Sequence, residues 1–255
     1  MVDLAKCTWP EAEALFGPDT VAILPVGSTE PHGPHLPLDT DVTIANAMAR
    51  RAVERLAEAR VRAVVLPPLA YGLTNYTTGF AGRVTLRSGT LWMLLEDIVT
   101  SLEQQGVTRI VFANAHLEPA HVAVLRGVVL DHAVRGPDKA QVLFPDNTRR
   151  RFASTLGEEF QSGDCHAGRY ESSLVLASDP TAVREDERRK LAPVSIHLIE
   201  KMKAGVTDFM AAGADHAYCG DPAAASAAEG RELVDRLSDM LLVSMREAWP
   251  ELFVA

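Results

Sequence analysis

The sequence predicts an α/β fold: a mostly parallel sheet covered on both faces by helices. Two observations carry that prediction. Short runs rich in Val and Ile, too short for helices, alternate with longer stretches of helical spacing. The runs are also almost wholly apolar, as expected of strands buried on both faces.

A short helix is expected near Trp9 to Phe16, followed by a buried strand over Thr20-Val-Ala-Ile-Leu-Pro-Val26. After the loop "GSTEPHGPHLPLDTD", Val42 to Ala59 places Ile44, Ala47 and Met48 on one face and Arg50, Arg51 and Glu54 elsewhere, which is the pattern of a helix. Arg62-Ala-Val-Val-Leu66 is a second strand, stopped by Pro67-Pro68. The loop "YGLTNYTTGFAGR" leads to a helix over about Thr90 to Gln105. Arg109 to Ala113 is a third strand, "NAHLEPAH" its exit, and Val122 to Val134 the next helix. Ala140 to Phe144 is a fourth strand, a further helix runs to Ala177, and the last covers about Ala224 to Glu247. No repeat, low-complexity tract or Gly/Ser-rich linker marks a boundary, so residues 1–255 read as a single domain.

Composition removes several function classes. A formal charge of −9 and a pI near 5.4 leave no basic surface for nucleic acid. The run Arg149-Arg150-Arg151, without aromatic partners, reads as a solvated helix start. Cys7, Cys165 and Cys219 lie far apart and form no C-x-x-C, which fits a reducing compartment. No stretch approaches the roughly 18 apolar residues of a membrane span, and the N-terminus lacks an apolar leader. A cytoplasmic protein is expected. Dinucleotide, P-loop, serine-hydrolase and zincin motifs are all missing from the chain.

The chemistry gathers where strands end, the usual ligand-binding edge of a parallel sheet. Glu30 and His32 alternate in the first exit loop, and His116 and Glu118 repeat that spacing in another. In extended chain such pairs aim both side chains the same way. Pro31, Pro34 and Pro37 stiffen the first loop. Asp41 stands at the start of the next helix, as an N-cap or, if Asp39 caps instead, as a further ligand. Together these residues form a mixed N/O set suited to Zn²⁺, Mn²⁺ or Fe²⁺. In "GDCHAGRYESS", His166 is the acid/base candidate, with Asp164 and Glu171 beside it. Cys165 has no dedicated base. His121, His132, His197 and His216 show no partner pattern and read as structural.

The strings "LPVGSTEPHGPHLPLDTD", "NAHLEPAH" and "HAGRYESS", in that order over about residues 20 to 180, resemble the creatininase (creatinine amidohydrolase) family. The resemblance implies a three-layer α/β/α fold, two divalent metal ions (zinc, manganese or iron), and hydrolysis of an amide C–N bond by metal-activated hydroxide. It assigns Glu30 and His116 to one metal, His32 and Glu118 to the other, and Asp41 to the bridging place. His166 falls on the proton-shuttling position and Asp164 on a substrate-contact position, while Glu171 either orients the site from behind the ligands or is itself a ligand. It also implies a homo-oligomer, often a hexamer.

Departures from the family bear on the substrate. Creatininase holds its flat ring between tryptophans, one beside the shuttle histidine, where this chain has Gly163; a substrate-contacting tyrosine is here Leu117. The usual "FPGT" loop is Phe80-Ala-Gly-Arg83, and Thr74, Asn75 and Tyr76 sit where related loops line the pocket. Pointing inward, Arg83 would suit a carboxylate or phosphate. The expectation is a small-molecule amide or lactam other than creatinine. The alternatives are a peptide or formamide hydrolase of the same family, and a non-catalytic metal-stabilised subunit.

Overall fold

In the computed structural model, residues 2–136 and 139–254 are described. The elements run α1 (Trp9–Leu15), β1 (Val21–Val26), α2 (Thr40–Glu58), β2 (Ala63–Val65), α3 (Ser88–Gln104), β3 (Arg109–Asn114), α4 (Pro119–Ala133) and β4 (Gln141–Leu143). After them come α5 (Arg150–Ala153), α6 (Glu158–Ser162), α7 (Arg169–Ser178), α8 (Glu185–Arg188), α9 (Leu198–Lys203), α10 (Phe209–Ala212) and α11 (Ala227–Ala248).

The four strands pair in the order β2-β1-β3-β4, all parallel. Alternate residues of each strand face opposite layers. Val21 and Ile23 of β1 and Val111 of β3 enter a core shared with Met48 and Ala52 of α2, Leu174 of α7 and Leu241 of α11. Ala22, Leu24, Ile110 and Phe112 enter the other, against Leu91 and Leu95 of α3 and Leu125 of α4. Both faces are covered, and each fully buried Leu or Ile contributes about 1.5–3 kcal/mol relative to an exposed one.

The expected strands and long helices fall within a few residues of their predicted places. The helix after β3 starts earlier than its apolar spacing indicates, because Pro119 occupies the first helical position, where no N–H is needed. The region between α7 and α11 carried no prediction. Here α9 and α10 form a third apolar cluster of Ile196, Leu198, Phe209 and Ala212, with Tyr76, Phe80 and Met202 against it. This cluster roofs the strand ends instead of thickening either layer. Among the described residues, no helix is long and apolar enough to cross a membrane.

Candidate metal centre

Sheet order places the site. β1 leads to β2 on one side and has β3 on the other, so the β1/β3 junction is a switch point where a crevice opens. The register sets Val26 opposite Asn114, so the loop carrying Glu30 and His32 leaves the sheet beside the loop carrying His116 and Glu118. Gly27 brings the third element in. A Cβ there would lie 2.6 Å from the Val42 backbone N, so only glycine lets the first turn of α2 approach the strand end. That turn carries Asp41. Asp39 holds the N-cap place without a side-chain cap bond, and Asp41 does not cap. Its carboxylate accepts a 2.6 Å bond from Ser28 Oγ and turns toward the histidines.

Three groups of donors result among the described residues. Glu30, Asp41 and His116 form one, His32, Asp41 and Glu171 another, and Glu30, His32 and His166 a third; within each, the donor atoms lie within 4.8 Å of one another. His116 Nδ1 is 3.0 Å from both Glu30 Oε1 and Asp41 Oδ2. His32 Nε2 is 3.3 Å from Asp41 Oδ1 and 3.5 Å from Glu171 Oε2. Each ring spends its other nitrogen on a backbone carbonyl: His32 Nδ1 on Glu30 O at 3.0 Å, His116 Nε2 on Leu73 O at 2.5 Å. A neutral imidazole bound in this way carries its proton on the carbonyl side and presents a lone pair to the carboxylates. His32 Nε2, fully buried, has no hydrogen-bond partner. Lone pairs aimed at three buried carboxylates fit divalent cations.

The electrostatics agree. Burial alone would raise the Asp41 pKa, but His32 and His116 outweigh it and hold the carboxyl well below its usual range. Burial would lower His32, yet Asp41 and Glu171 drive it up to about 10. His116 is likewise raised by Glu30 and Asp41 against its burial. The cage therefore calls for positive charge at neutral pH, from protons or from metal. Glu171, raised to about 8 chiefly by burial, gains most from a cation beside it.

The expected pairing of His32 with Glu118 is not the one the geometry forms. Glu171, from the first turn of α7, lies beside His32, with an oxygen also accepting a 2.6 Å bond from Ala167 N. Glu118 stands away on the cavity wall, where Asn75 Nδ2 donates to it at 2.6 Å and Tyr76 N at 3.3 Å. The reason lies in the backbone: Glu118 is the N-cap residue of α4 and its chain already turns from the strand end. Burial raises its pKa. His166 Nε2 donates to Pro31 O at 3.0 Å, and its ring lies between His32 at 4.5 Å and Phe209 at 4.3 Å. Burial, with His32 beside it, lowers it to about 4.

These groups open into a cavity of about 300 Å³ whose walls include Leu117, Phe160, Leu198, Ile199, Met202 and Phe209. A family model for creatininase, described as creatinine amidohydrolase, matches residues 5–244. The chain belongs to the creatininase family. It is 37% identical over 218 residues to the mycofactocin precursor peptide peptidase of Mycolicibacterium smegmatis, covering 84% of this chain and 79% of that protein. It is 30% identical over 210 residues to the creatinine amidohydrolase of Pseudomonas putida, covering 72% and 75%. A crystal structure of creatinine amidohydrolase (creatininase) superposes with a TM-score of 0.73 at 26% identity, over 98% of each chain.

This member of the creatininase family is thus a metal-dependent hydrolase, and several residues expected around its substrate lie elsewhere. Leu117 lines the cavity; Thr74, Arg83 and Asp164 do not. Arg83 Nη1 donates to Thr74 O at 2.9 Å, closing its own loop, and Thr74 is buried beneath it. Cys165 borders the cavity, but burial pushes its thiol well up and keeps it protonated. The apolar walls from α9 and α10 were missed, although "HLIEKM" and "DFMAA" carry a helical apolar spacing that a longer scan would find.

Asp164 anchors that wall. Its Oδ2 accepts from Ser195 Oγ, Ile196 N and His197 N at 2.8–3.0 Å, and Oδ1 from Leu198 N at 2.8 Å. These bonds hold His197 at φ 53 and cap α9 from a distance. Burial would raise the Asp164 pKa, but the four donors outweigh it and the carboxyl sits below its usual value. Asp164→Ala is expected to destabilise the protein by about 1–3 kcal/mol at pH 7, read from urea unfolding. A carboxyl depressed by folding contributes stability above its unfolded pKa of about 3.9 and loses it as pH falls through the folded value. The difference between variant and wild type should therefore shrink below about pH 4; a gap independent of pH would refute the anchoring role.

Proposed function

We propose that this protein is a dinuclear metallopeptidase that cleaves a C–N bond in a peptide, and that the small amide or lactam expected from its motifs is not its substrate. The carrying observation is the cavity wall. The chain has three tryptophans, Trp9, Trp92 and Trp249, and none borders the cavity, so the flat-ring sandwich of creatininase has no counterpart here. A long apolar wall suits side chains flanking a peptide bond. The relative named a precursor peptide peptidase, at the higher identity of the two, supports the same direction.

In this reading Glu30, Asp41 and His116 hold one divalent cation, and His32, Asp41 and Glu171 the other. When bound, the two ions polarise the scissile carbonyl and lower the pKa of the attacking water. The remaining steps fall to side chains. Glu118, raised by its burial and steadied by Asn75 and Tyr76 N–H, takes a proton from the attacking water onto a carboxylate oxygen and returns it to the departing nitrogen as the C–N bond breaks. His166 is neutral at pH 7, and Phe209 packed flat on its ring fixes its plane at the cavity edge.

The test is a substrate panel. Protein reconstituted with Zn²⁺ or Mn²⁺ is incubated with a mixed peptide library, with lactams and with creatinine, and products are read by mass spectrometry. New peptide termini that vanish with a chelator are expected. Turnover of lactams or creatinine with every peptide intact would exclude the proposal.

A further inference from the structure

We propose that His121 and Asn114 are positioning residues that fix the tautomer and ring plane of His116, and with them one of the two metal sites. The inference rests on the reading that Glu30, Asp41 and His116 hold a cation. It comes from a closed circuit of four hydrogen bonds in which every direction is determined.

Asn114 Nδ2 donates to His116 O at 2.6 Å. Its Oδ1 is then the acceptor facing His121 Nε2 at 3.1 Å, so that nitrogen carries the proton. His121 Nδ1 is left as an acceptor, and the backbone N–H of Leu73 donates to it at 3.4 Å. The carbonyl of the same Leu73 accepts from His116 Nε2 at 2.5 Å. In the neutral ring that a metal ligand requires, His116 Nδ1 is therefore the bare nitrogen, and it is the one 3.0 Å from Glu30 and Asp41.

All three side chains are buried, His121 completely, so water cannot replace any link. The His116 and His121 rings also meet edge-on at 4.7 Å. The backbone makes room for the circuit: a Cβ on Gly72 would lie 2.6 Å from His121 Nδ1. The two ends of "NAHLEPAH" thus serve the histidine between them, which explains a spacing that fits no helix-face ligand pair.

The test titrates metal-stripped wild type, His121→Phe and His121→Gln with Co²⁺, following visible absorption and bound metal, with thermal unfolding of each metal-free protein as the fold check. Phe keeps the ring and removes both bonds. Gln can accept from Leu73 N–H and donate to Asn114 Oδ1. Wild type is expected to take up two Co²⁺ per chain. His121→Phe should lose about 10- to 100-fold in affinity at one site only, and His121→Gln should recover most of that loss. Should His121→Phe fail to fold, Asn114→Asp, which cannot donate to the His116 carbonyl, must show the same one-site loss.

Two sites of wild-type affinity in His121→Phe, or in a folded Asn114→Asp, would overturn the inference, as would His121→Gln binding no better than His121→Phe. Those outcomes leave the metal reading standing. A wild-type protein that takes up no Co²⁺ would remove both.

Discussion

Asp41→Ala is expected to bind neither metal and to lose hydrolysis by on the order of 10⁴-fold or more, because water activation depends on the ions. Asp41 is the one side chain shared by the Glu30/Asp41/His116 and His32/Asp41/Glu171 groups, with Oδ1 toward His32 and Oδ2 toward His116. Its loss therefore leaves each group with two donors. Metal analysis after dialysis, beside circular dichroism to confirm folding, reads the outcome. A folded Asp41→Ala protein retaining two ions per chain would show that the carboxylate does not bridge.

Glu118→Gln and Glu171→Gln should separate two roles that motif matching confuses. Gln at 118 keeps the side chain's size and an acceptor for Tyr76 N–H but cannot carry a titrating proton. Both metals should stay and kcat should fall by about 10²–10⁴-fold. Gln at 171 removes a charge beside His32, so one of the two ions should be lost. The reverse pattern, metal loss at 118 and retention at 171, would restore Glu118 as the ligand and remove its proposed proton-transfer role.

The layers were legible because buried parallel strands leave almost pure apolar runs, as Val21–Val26 and Arg109–Asn114 do. Glu30, His32, Asp41 and His116 were legible because two short loops leave adjacent strand ends. The placement of Glu171, rather than Glu118, beside His32 was not. Spacing of i, i+2 predicts a shared side only while the chain stays extended, and at Glu118 it enters α4. Glu171 reaches the centre because α7 packs across α2 and α11, a contact with no local signature. Asp164 misled for a related reason. It lies two residues from His166 in sequence, yet its carboxylate faces the turn before α9.

The long reach of Glu171 has a consequence for how the protein matures. His32 leaves the sheet early in the chain and Glu171 is supplied by a helix made much later, so an ion held by both ties two distant parts of the polypeptide. His35 Nε2 and Ser172 Oγ, 2.8 Å apart, already join the same two segments without metal. Folding can thus bring the carboxylates together before any ion arrives, at the cost of their mutual repulsion. Metal capture then acts as a late fastening that favours the finished protein over partly opened forms, by an amount set by the free ion concentration relative to its Kd.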